Sequence, residues 1–455
     1  MSWLLPALAG YLAVQVAISL WAARRISSED DFLVAGRSLG YPLLTFTVFA
    51  SWFGAESVIA SAARSHASGF SLRSAEPFGY GLCLVLMGLV FAAPLWRRRL
   101  TTFADLFQLR YSPAVERTAA LIMIPSSMFW AAAQLRGFAH VLGTVIDIGP
   151  ATGIIIAAAF CVLYTIFGGL LGDAVTDLVQ GSVIIIGLAV LAIVVIAKQG
   201  GLDTALAIAT APAMAAPEAM PFLALLEEWA IPVIGSVVAV EMVSRVIAAR
   251  TPAIARNGTV MAGFAYIAVG LIPVFIGVAS AGLLTQPPAG EEFLPALARR
   301  ILPSGLYVLL AGALLSAILS TVNTILLVSA GLFSHNLAAP ALRITDERQK
   351  LKLVRGGIAL AGAVAAVLAL EADGIGALVE EASAFGSSGI VVVTTFGLFS
   401  ALGGPAAALV TLLGSLAAYL AASWGGAPYP FLTSLAAAVV LYACTAALER
   451  RRVAR

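Results

Sequence analysis

The sequence predicts an all-α polytopic membrane protein, and both its composition and the arrangement of its apolar residues lead to that class. Of the 455 residues, 61% are hydrophobic and 11% are charged, and the mean hydropathy is +0.99. A soluble globular protein carries about 25% charged residues. The apolar residues also fall in long runs with few charges inside them. Such runs are typical of helices that cross a bilayer rather than of a single buried core.

Thirteen apolar segments satisfy the length of about 20 residues that a spanning helix needs. The first segment has no basic region before it and exceeds the core of a signal peptide, so we expect it to be retained. The fifth and sixth segments meet at FGGLLGDAVTD, where glycines favour a sharp turn and Asp173 is a candidate helix cap. In chain order the predicted spans are 3–22, 40–61, 77–95, 114–143, 151–170, 173–197, 222–247, 257–284, 305–334, 354–370, 376–400, 403–422 and 431–448.

Lys and Arg residues are concentrated in alternate connections, which indicates how the spans are oriented. The basic set comprises the connections after the first, third, seventh and ninth spans, together with the tail at 450–455. Because cytoplasmic connections carry the excess of Lys and Arg, we expect the N-terminus outside and the tail in the cytoplasm. The expected location is the plasma membrane, or the inner membrane of a bacterium, as a multi-pass protein.

Several function classes are disfavoured by the sequence. The net charge of +2 does not indicate a nucleic-acid partner. Cys83, Cys161 and Cys444 lie far apart in apolar segments, so we expect small buried hydrophobes rather than a disulfide or a metal site. No G-x-x-x-x-G-K-[ST] motif occurs, which argues against direct use of ATP. We expect no enzyme, no organic cofactor and no obligatory protein partner.

Ionisable residues inside spans are candidates for function, because each costs about 2.5–3.5 kcal/mol on insertion scales. Glu56 lies deep in the second span, within TVFASWFGAESVIAS, and we expect it to serve a site or an intramembrane pair. The other ionisable residues in or at the ends of spans are Glu76, Arg136, His140, Asp177, Glu241, Glu380 and Glu381.

Each of these other residues also has a structural interpretation. Glu76, Glu380 and Glu381 lie close enough to predicted span ends to be solvated. Glu241 is placed to pair with Arg245, four residues further along a helix. Arg136 can extend its guanidinium to the outer surface or pair with Glu56.

The ninth predicted span contains a polar stripe without a charge, in LLSAILSTVNTILLVSAG. Ser320, Asn323 and Thr324 are spaced to share one helix face, and Ser316 lies one turn before Ser320. Small polar residues of this kind often join packed membrane helices. The alternative is a cation site, and hard oxygen donors without a carboxylate suit a weakly bound monovalent ion better than a divalent one.

Several stretches together resemble the sodium/solute symporter family, in order and over nearly the whole chain. They include the loop and helix at 31–57, a basic loop at 96–113, and LYTIFGGLLGDAVTDLVQG at 163–181. Two further stretches are SAILSTVNTILLVSAGLF at 316–333 and APYPFLTSLAAA at 427–438. Each motif is loose, but the ordered series is specific.

The resemblance implies a LeuT-type fold with two inverted five-helix repeats, one extra N-terminal helix and two C-terminal helices. In such folds the first helix of each repeat is broken near the midplane, where freed carbonyls bind ion and substrate. The implied regions are an N-terminal helix and loop at 1–39, a first repeat at 40–197, an external loop at 198–221, a second repeat at 222–400, and two helices with a basic tail at 401–455.

The resemblance also implies a sodium site, built from carbonyls of the broken first core helix and from a carbonyl and two hydroxyls of the ninth span. The corresponding residues here are Ala50, Phe53, Ala317, Ser320 and Thr321. A second sodium site found in only some members corresponds to Asp177, Asn323 and Thr324. Because those members have serines where this chain has Asn323, coupling to two ions is not implied as strongly.

The substrate residues implied by the resemblance lie after the helix break. Trp52, Glu56, Ser57 and Glu76 are the nearest matches, and Trp52 can present a π-face to a cation. A second aromatic residue found in choline-transporting relatives corresponds to Ala239. Arg136 instead favours a carboxylate, which its guanidinium can bind in bidentate geometry.

The expected function is therefore sodium-coupled import of a small organic solute by alternating access, in a lipid bilayer. Sodium is the expected coupling ion and the only expected metal. A proton-coupled permease of the same fold, with Glu56 or Asp177 titrating, is one alternative. A ligand sensor built on the transporter fold, or a channel, is another.

Overall fold

The computed structural model describes residues 4–71, 75–146, 148–210, 220–288, 290–372 and 374–453. These residues form α-helices joined by short connections, and the only β-bridge among them is the isolated pair Leu39 and Ala249. Residues 211–219 of the expected external loop and residues 454 and 455 of the basic tail lie outside the described part. The α-helices are α1 (Leu4–Ala23), α2 (Glu29–Val34), α3 (Tyr41–Trp52), α4 (Ser61–Ser68), α5 (Phe78–Leu86), α6 (Ala93–Arg97), α7 (Asp105–Arg110), α8 (Pro113–Ile146), α9 (Pro150–Lys198), α10 (Leu202–Thr210), α11 (Phe222–Ala230), α12 (Val240–Ile247), α13 (Pro252–Ala279), α14 (Phe293–Ile301), α15 (Ser304–Gly331), α16 (Ala339–Leu342), α17 (Glu347–Glu371), α18 (Ile375–Ala384), α19 (Ser387–Phe399), α20 (Pro405–Trp424) and α21 (Pro430–Val453).

Within the described ranges, ten helical segments are long and apolar enough to cross a membrane, and the count rises to eleven with one bent pair. A shorter apolar helix, Ala13–Ala23, lies within α1. The predicted all-helical, many-span architecture is confirmed at this level. The count of thirteen spans is a finer prediction that length and composition do not establish.

The longest helix, α9, holds two predicted spans. Its 49 residues would extend about 73 Å, more than twice the roughly 30 Å of a hydrocarbon core. Gly169 interrupts it with φ 52° and ψ −168°, and a Cβ at this position would lie 2.9 Å from the Phe32 carbonyl oxygen. The turn therefore falls inside the predicted FGGLLGD boundary. Asp173 does not cap a helix there, because it is fully buried within the segment after the break.

Two helices are interrupted in mid-course. α3 and the helical segment Glu56–Ser68 are bent by 65° at a short break after Trp52. A π-helical segment, Ile231–Gly235, extends α11, and residues 236–239 then form a non-helical link to α12. The start of α3 and the end of α12 lie together, since the Leu39 N–H donates to Ala248 at 3.2 Å and the Arg250 N–H donates to Leu39 at 2.9 Å.

α15 lies at the centre of the molecule. It packs on α3, α8, α9 and α17, and every residue from Ala313 to Gly331 is buried. Because this stretch includes the predicted polar stripe, its hydroxyls and amide must find partners inside the protein. Of the cysteines, Cys83 and Cys161 are buried as expected, whereas Cys444 is exposed and the expectation for it is wrong.

Candidate functional site: a helix break beside a buried polar cluster

The break after α3 is closed by a side chain from α8. Phe53 leaves helical geometry with φ −95° and ψ 72°. Gln134 accepts a hydrogen bond from the Ala55 N–H at 2.8 Å and donates one to Glu56 at 2.6 Å. Gly54 leaves the space for this contact, because a Cβ there would lie 2.5 Å from Gln134 Oε1. The Ala55 N–H at the interruption of α3 thus has a hydrogen-bond partner within the protein.

The expected sodium ligands lie where the break faces α15. Thr321 Oγ1 is 3.2 Å from the Ala317 carbonyl oxygen and 3.5 Å from the Ala50 carbonyl oxygen, so α3 and α15 meet at this hydroxyl. Phe53 and Ser320 are fully buried in the same region. The Ser320 hydroxyl donates to Asp177 on α9. Carbonyl and hydroxyl oxygens of this kind are the donors that a hard monovalent cation needs.

The residues implied for a second sodium site are arranged differently from the expectation. Asn323 Nδ2 and Thr324 Oγ1 donate to Asp173, one helical turn before Asp177, rather than to Asp177 itself. Asp177 accepts a hydrogen bond from Thr47 at 2.5 Å as well as the one from Ser320. The polar stripe of α15 therefore donates hydrogen bonds to two carboxylates of α9, Asp173 and Asp177.

A guanidinium lies within this cluster. Arg245 of α12 is fully buried and forms an ion pair with Asp173, and its nearest nitrogen is 3.9 Å from Asp177. The predicted pairing of Arg245 with Glu241 does not occur, because Glu241 instead accepts a hydrogen bond from Ser127 of α8. The helix turns both side chains inward, and α8 and α9 supply separate partners for them.

The substrate candidates after the break belong to one hydrogen-bonded group. Glu56 also accepts a hydrogen bond from Trp130 Nε1 at 3.3 Å, and the Trp130 ring meets the Trp52 ring edge-on at 4.7 Å. Next to Glu56, the Ser57 and Tyr266 hydroxyls share a 2.5 Å hydrogen bond. Tyr266 donates in turn to Glu76 Oε1 at 2.5 Å. Glu76 Oε2 and Trp52 Nε1 are buried atoms without a hydrogen-bond partner among the described residues.

Glu56 and Glu76 line a partly open cavity, which we call the Glu56 cavity. Its charged lining consists of four carboxylates and one guanidinium: Glu56, Glu76, Glu228, Glu380 and Arg64. The guanidinium is 3.8 Å from Glu228. The lining is therefore acidic, and a positively charged solute is the one its field attracts.

A second cavity is lined in part by Trp130, whose Nε1 donates to Glu56 of the first cavity. We call it the Ser127 cavity, and its polar lining includes Ser127, Ser236, Glu241 and Ser383. Ala239 also lines it, so the position corresponding to a second aromatic residue in choline-transporting relatives presents only a methyl group.

Arg136 lies away from both cavities. Its Nη1 donates to the Ala369 and Ala372 carbonyl oxygens, at 3.1 and 2.6 Å, at the C-terminal end of α17. This contact satisfies carbonyls at the end of a helix, where a cation is stabilised by the helix dipole. The structure thus brings Trp52, Glu56, Ser57 and Glu76 together and places Arg136 elsewhere.

Three residues that shape the site are not among the site candidates that the sequence offers: Gln134, Asp173 and Arg245. Gln134 is a neutral residue in an apolar span, one helical turn from Trp130. The predicted spans place Asp173 and Arg245 near span ends. That placement does not suggest that these two residues of opposite charge lie inside apolar segments and face each other. Pairing of opposite charges across different spans is the signal that was available.

The chain is similar to known proteins in sequence and in fold. The model of the sodium:solute symporter family matches residues 32–414. The high affinity choline transporter 1 of Homo sapiens is 25% identical over 387 residues, which cover 79% of this chain but only 66% of the human protein. The sodium/pantothenate symporter of Escherichia coli is 30% identical over 205 residues, or 44% of this chain and 42% of the relative.

Among solved structures, a Na+-coupled sialic acid symporter in its substrate-bound outward-open state superimposes with a TM-score of 0.85. The alignment covers 98% of this chain and 97% of that chain, at 19% identity. At this identity the likeness establishes a shared fold.

Proposed function

Because the chain belongs to the sodium:solute symporter family, as the sequence resemblance predicted, we propose that it is a sodium-coupled symporter that imports a small organic solute. It is a multi-pass membrane protein of a transporter family, and sodium is the coupling ion expected in that family. Its relatives include proteins named as choline, pantothenate and glucose transporters, so the family is broad in substrate.

The observation that carries the proposal is the meeting of the broken α3 with the hydroxyls of α15. Thr321 contacts carbonyls of both helices, and Ser320 beside it is held by Asp177. We propose Ala50, Phe53, Ala317, Ser320 and Thr321 as the sodium ligands. A cation at this point would bind oxygens of two helices at once and so hold them together.

Such a bridge provides the coupling between ion and solute. With sodium bound, α3 stays against α15 and the protein favours the outward-open state, which is competent to bind solute. Each sodium ion that moves inward across 100 mV supplies about 2.3 kcal/mol. Release of sodium on the inside frees α3, and the solute leaves on that side by alternating access.

We propose thirteen spans in two inverted repeats, 40–197 and 222–400, with the N-terminus outside. Support comes from the bends that follow the start of each repeat, at residues 53–55 and 236–239. The interruption at Gly169 supports counting α9 as two spans, and α1 supplies the extra N-terminal one. The charge asymmetry of the connections favours a plasma or bacterial inner membrane with a cytoplasmic basic tail.

The acidic Glu56 cavity favours a cationic or zwitterionic solute. Glu76 offers a carboxylate oxygen without a partner among the described residues, and Glu56 accepts a hydrogen bond from Trp130, whose ring packs edge-on against Trp52. We propose Trp52, Glu56, Ser57 and Glu76 as the residues that shape the solute site. Arg136, which the sequence offered for a carboxylate, contributes to the end of α17 instead.

The test is uptake of labelled choline into proteoliposomes with and without an inward sodium gradient. Wild type should accumulate choline only with the gradient, and Ser320→Ala/Thr321→Val should lose the sodium stimulation. Ser329→Ala is the matched control, because this buried hydroxyl of α15 has no hydrogen-bond partner within the described part of the chain. It should leave uptake unchanged.

Other outcomes would replace the proposal. Uptake driven by a pH gradient and indifferent to sodium would favour a proton-coupled permease. Currents without accumulation would favour a channel, and solute binding without flux would favour a sensor. A thermal-shift screen with sodium present, over amines, amino acids, sugars and carboxylates, identifies the solute class; stabilisation by sugars or carboxylates but not by amines would contradict a cationic solute.

A further inference from the structure

A fully buried guanidinium joins four helices beside the proposed sodium site. Arg245 extends from α12 and pairs with Asp173 of α9, and its Nη2 also donates to Thr324 of α15. Its Nε donates to Ser51 of α3 at 3.2 Å. Because an isolated buried charge is very unfavourable, the guanidinium is held here by these specific partners.

The partners of Arg245 are those that a metal cation would use. Asp173 and Thr324 provide a carboxylate and a hydroxyl oxygen to the guanidinium, and Asn323 also contacts Asp173. Asn323 Oδ1 is a buried oxygen without a hydrogen-bond partner among the described residues. The cluster therefore has the composition of an oxygen-rich cation site in which a positive charge from the chain is already present.

With both of its carboxylates ionised, the cluster carries a net charge of −1. Asp173 and Asp177 carry two negative charges in the ionised state, and Arg245 supplies one positive charge, mainly to Asp173. Asp177 instead contacts Ser320, which is a proposed sodium ligand. A single sodium ion bound by Ser320 and Thr321 would lie next to Asp177 and balance its charge.

We propose that Arg245 is a built-in cation that takes the place of a second sodium ion, so that this protein binds and transports one sodium ion per cycle. The inference rests on the proposed function, since it specifies the stoichiometry of the same symport. A positioning role for Asp177 follows: its carboxylate accepts a hydrogen bond from the Ser320 hydroxyl and so directs the lone pairs of that oxygen towards the ion.

The test is equilibrium binding of ²²Na⁺ to purified protein. Wild type should bind one ion per chain with a Hill coefficient of about one, and Ser320→Ala/Thr321→Val should bind none. Arg245→Met removes the guanidinium and leaves Asp173, Asn323 and Thr324 free, so this variant should bind two ions. Arg245→Lys retains a cation and should bind one, and Arg245→Met/Asp173→Asn should return to one.

The wild-type stoichiometry decides the question even if Arg245→Met does not fold. Two ions per wild-type chain, or binding that persists in Ser320→Ala/Thr321→Val, would overturn the inference while leaving sodium coupling intact. A folded Arg245→Met that binds one ion would also overturn it. A wild type that binds no sodium would contradict the proposed function itself, so the two failures are distinguishable.

Discussion

Gly54 lies at a point where only a hydrogen atom fits between two polar side chains. A Cβ would lie 2.5 Å from Gln134 Oε1 and 2.8 Å from Glu56 Oε2. Gln134 could move only by giving up its bonds to Ala55 and Glu56. Those bonds are worth about 0.5–1.5 kcal/mol for a neutral pair and about 1.5–3 kcal/mol for one to a charged group.

We therefore expect Gly54→Ala to reduce sodium-driven choline uptake by at least about tenfold, a change equivalent to about 1.4 kcal/mol. Gly312→Ala is the control, because a Cβ at that position in α15 meets no atom within 4 Å. Uptake by both variants, normalised to folded protein, is the measurement. Normal uptake by Gly54→Ala would show that Gln134 does not need to close the break.

Glu76 has a carboxylate oxygen that is available to a cationic solute. Glu76 Oε1 accepts from Tyr266, whereas Oε2 has no partner among the described residues and the residue lines the Glu56 cavity. A hydrogen bond to a charged group contributes about 1.5–3 kcal/mol. Glu76→Gln should therefore raise the KM for choline by at least about tenfold.

The comparison for Glu76→Gln is Glu381→Gln. Glu381 accepts a hydrogen bond from Tyr419 at 3.1 Å and does not line the Glu56 cavity. Its replacement should leave the KM unchanged. Equal KM values for wild type and Glu76→Gln would show that this carboxylate does not contact the solute.

At the scale of elements, the ion pair of Asp173 and Arg245 fastens α12 to α9. Removal of one partner from a buried pair typically costs about 3–5 kcal/mol, because the other charge stays buried without compensation. Asp177, 3.9 Å from the guanidinium, offsets part of this cost. Asp173→Asn should therefore lower the free energy of unfolding by about 3 kcal/mol.

Denaturant unfolding in detergent measures this change. Glu371→Gln, at an exposed residue that ends α17, should change the free energy of unfolding by less than about 0.5 kcal/mol. Asp173→Asn/Arg245→Met removes both charges and should recover part of the loss. If Asp173→Asn changed the free energy of unfolding as little as Glu371→Gln does, the ion pair would not be what holds these helices together.

The elements themselves were predictable from the sequence to the extent that hydropathy determines them. Long apolar runs indicate spanning helices, and Gly54 between Trp52 and Glu56 suggested the break in α3. Partners across helices were not predictable in the same way. Periodicity places Ser320 and Thr324 on one face, but only the packing of α9 and α12 on α15 shows that Asp173 and Arg245 meet there. The prediction that Arg245 pairs with Glu241 is wrong. It relied on their spacing of four residues within one helix and could not include partners on other helices.

At the scale of the whole molecule, we infer that Trp130 separates the two cavities. The residue lines the Ser127 cavity, and its Nε1 donates to Glu56, which lines the other cavity. Its ring also packs edge-on against Trp52, and only 7% of Trp130 is exposed. Alternating access requires that a solute never has an open path through both cavities at once, and a bulky indole at the boundary meets that requirement.

Trp130→Ala should therefore uncouple transport. Without the indole, the Glu56 cavity and the Ser127 cavity are expected to join, so that solute can pass without the sodium-dependent change of state. We expect efflux of preloaded choline from sodium-free proteoliposomes to rise by at least about tenfold, while sodium-driven accumulation falls. Trp424→Ala removes an indole that is 83% exposed and should change neither rate. If folded Trp130→Ala lost accumulation without any rise in sodium-free efflux, Trp130 would be a contact needed for binding rather than the barrier between the cavities.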